Sequence, residues 1–443
     1  MKPLNKQLTK ISGLVSSENK PLFANFLSLG FIQGSNFILS ILTFPYIIRI
    51  VGVENFGIVT LLQAIMFYFT VLTDYGFSLS ATKDISIYRH DVGHLSRIYS
   101  EVMTTKAVLC ILSLCIITVA LLLTPKYQVY SLVTCLSFTI VLGQLLLPTW
   151  FFQGVEKMKY ITYINILSRT LYAILIFVFI NKADDYIYIN LINGGSAIVG
   201  GVIGLIIVYK KFQISFSLPN FQQIKNQLVG SWSVFISNVT VTVANNTNIL
   251  ILGLFATPLQ LGYYSIAEKV FLIFRSFAGI LHQVVYPRVC ILAQASFSTL
   301  AIFLRKIVIV VLATFLPLSL LIFLLSDYIV FLITGEYLGE ASFILKIISL
   351  GPFMAALNIP VSQTMLAYHL TRNYAMIMSV GAVANIILNF TLASYFKAVG
   401  TAYSILITET LITSMLFIAV YKYYPQYFFL KKNSPHGELE IKK

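Results

Sequence analysis

Four side chains that can carry charge lie within one strongly apolar stretch, Gly262–Tyr286: Glu268, Lys269, Arg275 and His282. At 3.6 residues per helical turn, Glu268, Arg275 and His282 follow one helix face at a spacing of seven residues. A charged side chain at bilayer depth costs at least about 2.5 kcal/mol, so it faces water, a partner or a ligand. This face is therefore the first candidate for a binding site.

Arg275 is the strongest single candidate for anion binding on that face. Its guanidinium stays charged and presents a planar fork of N–H donors, which suits a phosphate group. A structural ion pair with Glu268 or Asp74 is the alternative. Glu268 and Lys269 could pair with each other or extend toward the membrane surface. His282 could titrate near neutral pH, although a lone histidine is more often a packing residue.

Three of the charged residues in or beside other apolar stretches are further candidates for the binding site. Asp74 ends the second stretch and could pair with Arg275 or carry a coupling proton. Arg169 lies about two helical turns into the fifth apolar stretch, Ile161–Ile180. Arg49 directly follows the first apolar stretch, Leu22–Ile48, at its outer end. The predicted substrate-binding set is therefore Arg275, Lys269, Glu268, Arg169, Asp74 and Arg49.

Uncharged polar residues recur at helical spacing in the first, second and seventh stretches. We expect these stretches, with the eighth, to line a polar cavity, whereas the third, sixth and ninth pack or face lipid. Interhelical hydrogen bonding, worth about 0.6–2 kcal/mol each, is the alternative role for each residue. The predicted cavity-lining set is Asn25, Asn36, Gln63, Asn238, Asn245 and His282.

The composition indicates which elements position these residues. The chain has 443 residues, of which 58% are hydrophobic and only 10% charged, which excludes an ordinary soluble globule. Windows of about 20 apolar residues favour membrane-spanning helices over barrel strands. Twelve spans are predicted: Leu22–Ile48, Gly57–Phe77, Ala107–Leu123, Val129–Phe152, Ile161–Ile180, Ile187–Val208, Leu228–Leu252, Gly262–Tyr286, Ile307–Leu325, Ala341–Leu366, Tyr374–Phe396 and Ala398–Tyr421.

The net charge of +14 is distributed unevenly between the two sets of predicted loops. Nearly all lysines and arginines fall on one side, and this bias predicts that both termini are cytoplasmic. The segment Ser78–Lys106 is expected to be a cytoplasmic connector of mixed charge. Because the basic residues lie in short loops, a nucleic-acid partner is not expected.

A weak internal repeat emerges when Gly57 is aligned with Gly262. Both glycines open a helix that runs from outside to inside, which places spans one to six over spans seven to twelve. The predicted fold is an all-α integral membrane protein of two six-helix lobes, related as parallel repeats around a central cavity. The basic linker Lys210–Gln227 contains Pro219 and divides the chain into lobes of residues 1–218 and 219–443.

Motifs typical of catalysis and cofactor binding are absent from the sequence. The sequence has no glycine-rich phosphate loop, HExxH or GxSxG motif, so neither an enzyme activity nor a cofactor is expected. Its four cysteines form no CxxC pair and have no histidine at ligand spacing, so no metal is expected.

Four short runs resemble the Wzx-type O-antigen flippases. These belong to the polysaccharide-transporter branch of the multidrug/oligosaccharidyl-lipid/polysaccharide (MOP) exporter superfamily. The similarity extends from about Leu22 to Tyr421, and the order of the runs is more specific than any one of them. The runs are FPYIIRIVGVENFG at 44–57, DYGF at 74–77, LPTWFFQG at 147–154 and LGYYSIAEK at 261–269.

The resemblance implies a transporter of lipopolysaccharide biosynthesis in the bacterial inner membrane. Its expected substrate is an undecaprenyl-pyrophosphate-linked oligosaccharide in the membrane, flipped from the cytoplasmic to the periplasmic leaflet. Arg275, Lys269 and Arg169 could hold the pyrophosphate, and a gradient of H⁺ or Na⁺ could drive transport. Two alternatives stay open: a multidrug antiporter of the same superfamily, and a polytopic glycan polymerase or ligase.

Overall fold

The computed structural model describes residues 20–124 and 128–423, without the side chains of residues 20–38, 40, 244 and 245. This described part is helical and contains no β-strand, which confirms the predicted all-α class. Three predicted cavity residues, Asn25, Asn36 and Asn245, have side chains outside the described set. Both chain ends also lie outside it.

The helices are numbered in chain order. They are α1 Lys20–Asp74, α2 Phe77–Ile87, α3 Val92–Leu123, α4 Ser131–Ser137, α5 Thr139–Leu146, α6 Thr149–Gly154, α7 Lys159–Phe179, α8 Tyr186–Phe212, α9 Phe221–Asn246, α10 Asn248–Phe255, α11 Pro258–Ala295, α12 Phe297–Thr334, α13 Gly339–Ile348, α14 Gly351–Ala367 and α15 Thr371–Tyr423.

The described chain has nine segments long and apolar enough to cross a membrane, or ten if the bent pair α9–α10 counts as one. Twelve spans were predicted. Two helices, α1 and α15, each consist of two helices merged across a kink, at Gly52 and Lys397. The predicted spans Tyr374–Phe396 and Ala398–Tyr421 accordingly both lie in α15.

The break in α1 depends on a backbone conformation that glycine adopts easily. Gly52 has φ 79° and ψ 164°, a region in which a side chain would meet the backbone. The two limbs, residues 20–51 and 53–74, are therefore separate helices joined by one residue. The limb 53–74 carries Gln63, Thr70 and Asp74.

Helix α3 begins fifteen residues before the predicted span at Ala107, because Asp91 caps it. The Asp91 carboxylate accepts a hydrogen bond from the backbone N–H of His94 at 3.0 Å. This bond lowers the pKa of the Asp91 carboxyl. The supposed loop Ser78–Lys106 is thus mostly helix, and Lys106 lies inside α3 rather than in a cytoplasmic connector.

The chain forms two compact units. Unit 1 comprises Met1–Gly262 with Leu332–Gly335, and unit 2 comprises Tyr263–Phe331 with Glu336–Lys443. The core of unit 1 is aromatic, with Tyr99 stacked on Trp150 at 5.6 Å between ring centroids. Unit 2 has an aliphatic core that includes Ile359. The division after residue 218 and the central cavity stay predictions.

Unit 1 extends past residue 218 because α9 packs on its core. Phe235 of α9 stacks on Tyr75 with 4.3 Å between the ring centroids. Gln227 of α9 also donates a hydrogen bond of 2.8 Å to the Glu101 carboxylate of α3. These contacts hold the α9 helix against α1 and α3, where it forms one wall of a polar cavity.

Candidate functional site

Arg275, the strongest sequence candidate, forms an ion pair within unit 2. Its Nη2 atom lies 3.2 Å from Oε1 of Glu409 on α15. The guanidinium also lies over the Phe271 ring, 5.7 Å from the ring centroid. The Arg275 side chain is 39% exposed whereas that of Glu409 is 10% exposed. The pair is therefore more exposed on the arginine side than on the glutamate side.

Neither carboxylate expected to pair with Arg275 does so. Glu268 is partly buried and accepts a hydrogen bond of 2.9 Å from the hydroxyl of Tyr264, one turn before it. Asp74 belongs to unit 1 and pairs with Lys106. The partner of Arg275 is 134 positions further along the chain, so residue spacing on α11 could not identify it.

Asp74 and Lys106 form a second charge pair, in unit 1. Lys106 Nζ lies 3.5 Å from Asp74 Oδ1 and donates to the backbone carbonyl of Gln144 at 3.5 Å. The other Asp74 oxygen accepts from the backbone N–H of Ser78 at 3.3 Å. The side chain of Lys106 is 1% exposed and that of Asp74 is 19% exposed. Both ammonium contacts are long for charge-assisted hydrogen bonds, which are usually 2.7–2.9 Å.

Asp74 opens onto a polar cavity of about 330 Å³ in unit 1. Residues from the polar faces predicted for the second and seventh spans line this cavity together, among them Asp74 and Asn238. Its lining residues are Phe67, Thr70, Val71, Asp74, Ser78, Gln144, Thr149, Asn238, Val241 and Thr242. A carboxylate, two amides and four hydroxyls thus surround one space.

A second cavity of unit 1, of about 540 Å³, is almost entirely apolar. It lies among the limb 53–74 of α1, the end of α3, α4, α10 and the start of α11. Leu61, Ile117 and Leu254 are among its lining residues. Such a space fits hydrocarbon rather than a charged group.

Gln63, predicted to line the polar cavity, makes an interhelical hydrogen bond in unit 1 instead. Its Nε2 atom donates to Oδ1 of Asn190 at 2.9 Å. Asn190 is fully buried and donates to the Ser137 hydroxyl at 2.8 Å and to the Val59 carbonyl at 3.3 Å. Gln63 therefore forms an interhelical hydrogen bond, which is the alternative role given above for the polar residues.

The other predicted residues are not members of either charge pair. Arg49 donates from Nε to the Ile333 carbonyl at 3.2 Å and from Nη2 to the Leu332 carbonyl. His282 is partly buried, and its backbone carbonyl accepts from Gln363 at 2.9 Å. Arg169 and Lys269 are exposed on their helices. Within residues 20–124 and 128–423, no group of three His, Cys, Asp or Glu side chains could hold a metal ion.

Three residues with interhelical polar contacts, Lys106, Glu101 and Asn190, were not predicted from the sequence. The first two fall in charged turns of α3, where mean hydropathy is too low to mark a span. Asn190 is one amide in an apolar helix, and a single residue produces no periodic pattern. Lys106 and Glu101 precede the predicted third span, and Asn190 bonds between helices, so the expectation that the third and sixth spans pack or face lipid stays a prediction.

The fold is that of the MOP-superfamily transporters. The structure of lipid II flippase MurJ in an inward closed conformation matches with a TM-score of 0.66 and 15% identity, over 88% of this chain and 87% of that one. An inward-facing multidrug MATE transporter of the MOP superfamily matches with a TM-score of 0.61 and 12% identity, over 88% and 95% of the chains. At these identities the likeness concerns the fold alone.

The chain belongs to the polysaccharide biosynthesis protein family, whose model matches residues 22–291. A protein of Escherichia coli (strain K12) named "Putative O-antigen transporter" is 32% identical over 404 residues, 89% of this chain and 96% of that protein. A protein of the same name from Shigella dysenteriae is 26% identical over 89% of this chain and 99% of its own length. The resemblance seen in the sequence runs is confirmed.

Proposed function

We propose that this protein is a flippase for an undecaprenyl-pyrophosphate-linked oligosaccharide, the O-antigen repeat unit. It moves this lipid from the cytoplasmic to the periplasmic leaflet of the bacterial inner membrane by alternating access. The observation that carries the proposal is the 32% identity to an O-antigen transporter relative over 89% of the chain. The MurJ match adds a fold shared with a lipid II flippase.

Arg275 is the residue that would hold the pyrophosphate. Its side chain is 39% exposed within an apolar helix, and its contact with Glu409 is a single N–O distance of 3.2 Å. Arginine has five N–H donors, so a phosphate can bind while Glu409 keeps one of them or is displaced. Lys269 and Arg169 are exposed cations that would add attraction for the same headgroup.

The remaining members of the predicted set have other proposed roles. Asp74 and Glu268 would respond to a coupling ion, H⁺ or Na⁺, because each is a carboxylate at membrane depth. Arg49 would act at the outer end of the first span. The two lobes would move about the segment between α8 and α9, with both termini in the cytoplasm. Each elementary charge moved across the membrane would contribute about 2.3 kcal/mol per 100 mV.

The test replaces Arg275 in a strain that lacks the chromosomal copy of the gene. Arg275→Ala should abolish surface polysaccharide at unchanged protein level, and Arg275→Lys should restore only part of it because the planar fork is lost. Arg288→Ala is the matched control, since Arg288 is an exposed arginine of the same helix. Normal polysaccharide in the Arg275→Ala strain would remove this residue from the mechanism.

A multidrug antiporter is the second candidate, favoured by the MATE transporter match over 88% of the chain. Expression in a strain without its efflux pumps separates the two candidates, because an antiporter raises drug resistance and the proposed flippase does not. A glycan polymerase or ligase usually works through a large external loop. Among the described connections between helices, the longest, residues 213–220, is short.

A further inference from the structure

We propose that the polar cavity beside Asp74 binds one sugar residue of the transported oligosaccharide, and that the amides of Gln144 and Asn238 select which sugar is accepted. The inference rests on the proposed flippase function only for the source of that sugar. Binding itself is a property of unit 1 and needs neither the lipid nor the pyrophosphate. The charge of the cavity, its free amides, its size and its aromatic wall each support this ligand.

The cavity is polar but has no net charge. Of its described lining residues only Asp74 is charged, and Lys106 lies 3.5 Å from that carboxylate. The pair is neutral overall whether or not a proton passes between its members, so the cavity favours neither an anion nor a further cation. Amides and hydroxyls satisfy a neutral ligand that both donates and accepts hydrogen bonds. A sugar has this chemistry, because each of its hydroxyl groups does both.

The side-chain amides of Gln144 and Asn238 are available to such a ligand. Both residues line the cavity, and neither amide hydrogen-bonds to another residue in the described part of the chain. Each amide offers two N–H donors and one carbonyl acceptor. A polar group left without a partner when water is displaced is costly, so a ligand that fills the cavity must bond to both amides. The two amides can therefore discriminate between sugars by where the hydroxyl groups lie on the ring.

Pro148 places Gln144 and Thr149 at this cavity. A helix carbonyl normally accepts from the N–H four residues later, and the residue four after Gln144 is Pro148, which has no N–H. Lys106 donates to that free carbonyl, so the lysine holds the Gln144 backbone and leaves the side chain to the cavity. The chain is extended at Leu147, with ψ 108°, and α6 then begins at Thr149, which lines the same space.

Asn238 lies on a wall that is already fixed. Three positions earlier on α9, Phe235 stacks on Tyr75 with 4.3 Å between the ring centroids. Ser231, one turn before Phe235, shares a hydrogen bond of 2.8 Å with the Ser80 hydroxyl. Residues 231, 235 and 238 follow one helix face at spacings of four and three. Because these contacts hold that face against the rest of unit 1, Asn238 is positioned before a ligand arrives, and binding costs less conformational entropy.

The size and the aromatic wall of the cavity fit a single sugar ring. Binding sites for small molecules usually measure about 300–1,000 Å³, so a cavity of about 330 Å³ takes one small group rather than a whole oligosaccharide. Phe67 lines the cavity and is 43% exposed. The C–H bonds on the face of a pyranose ring pack on an aromatic ring, while the hydroxyl groups on its rim reach polar side chains. Phe67 thus supplies the apolar contact, and Gln144 and Asn238 supply the polar ones.

The experiment is saturation-transfer difference NMR on the purified full-length protein in detergent. The probe is the monosaccharide mixture obtained by acid hydrolysis of the surface polysaccharide of the bacterium that carries the gene, with sorbitol as an open-chain polyol for comparison. We expect transfer that saturates with sugar concentration for at least one component and no such transfer for sorbitol. A sugar ring on Phe67 should receive most magnetisation at the C–H protons of one face, and Phe67→Leu should weaken this transfer.

Two variants test the amides separately. Asn238→Leu and Gln144→Met each replace an amide with an apolar group of similar size, so both proteins should fold, which their unfolding midpoints check. Each variant should raise the apparent Kd of the sugar about fivefold or more, as the loss of a hydrogen bond predicts. Asn165→Leu is the matched control, because Asn165 donates to the Ile161 carbonyl and does not line the cavity.

The sugar site is overturned by any of three results. These are no saturable transfer to any component of the mixture, an unchanged Kd in Asn238→Leu and Gln144→Met, and an equal loss of binding in Asn165→Leu. Each result concerns binding without lipid, so it leaves the flippase proposal standing. Saturable transfer with a protein that flips no lipid-linked oligosaccharide would instead contradict the flippase function and keep the sugar site.

Discussion

Gly57 and Gly262 make reciprocal contacts at a crossing of two helix backbones. A Cβ atom added to Gly57 would collide with the carbonyl oxygen of Pro258, and one added to Gly262 would collide with that of Val53. Val53 precedes Gly57 by four residues, as Pro258 precedes Gly262. The two positions that the sequence repeat aligns therefore touch each other in equivalent ways, as a local two-fold relation requires.

This crossing predicts that Gly57→Ala is destabilising. The colliding atoms are backbone, so the helices must separate, and overpacking of this kind costs about 1–3 kcal/mol. Thermal unfolding of the purified variant measures the loss. Gly279→Ala is the matched control, because nothing lies within 4 Å of a Cβ at Gly279 in α11. Equal unfolding midpoints for the two variants would show that the crossing is looser than described.

Asn190 should contribute more to stability than an asparagine bonded within its own helix. Asn190→Ala removes bonds to Gln63, Ser137 and Val59, and we expect a loss of about 1–2 kcal/mol. Asn165→Ala is the comparison, because Asn165 donates to the Ile161 carbonyl one turn earlier. Chemical unfolding in detergent measures the free energy of unfolding of the two variants. The prediction fails if Asn165→Ala costs as much as Asn190→Ala.

The Arg275–Glu409 pair should be worth little in stability. With Arg275 39% exposed, solvent screens the interaction, and a double-mutant cycle should give a coupling of about 1 kcal/mol or less. The cycle uses Arg275→Gln, Glu409→Gln and both together. A coupling of several kcal/mol would assign Arg275 to structure, and its loss of function would then follow from instability.

Arg49 should stabilise the carboxyl end of α12. Its guanidinium donates to the carbonyls of Leu332 and Ile333, next to Gly335 with φ 82°. Arg49→Gln should lower stability by about 1 kcal/mol, as seen in the unfolding midpoint. Arg89→Gln is the control, since it removes only exposed contacts, an ion pair with Glu156 and a hydrogen bond to His90. If the Arg49→Gln protein is as stable as the control, Arg49 does not stabilise the carboxyl end of α12.

The helices could be predicted from sequence because hydropathy over about 20 residues is a strong signal. The predicted start of α3, at Ala107, was wrong because the turns from Val92 to Lys106 contain charged residues. In the sequence, only the capping residue Asp91 indicates that these turns are helical. Lys106 was accordingly assigned to a loop. A lysine in a polar stretch looks exposed until the partner that buries it is known.

The two charge pairs could not be predicted from the sequence, because each joins residues that are far apart along the chain. Glu268, one position from Lys269 and seven from Arg275, looked like the natural partner of either, yet it bonds to Tyr264. Helix periodicity places residues on a face but does not say which other helix meets that face. The Asp74 and Asn238 faces were predicted to line a cavity, and the structure brings these two residues to the same one.

The most direct test of the central claim is a flipping assay with purified components. The protein is reconstituted into vesicles whose inner leaflet alone carries a labelled undecaprenyl-pyrophosphate oligosaccharide, and a membrane-impermeant glycosidase reports the labelled fraction that reaches the outside. We predict that this fraction rises in vesicles with the unaltered protein and stays near the protein-free level with Arg275→Ala. Equal exposure of the label with and without the unaltered protein would contradict the account.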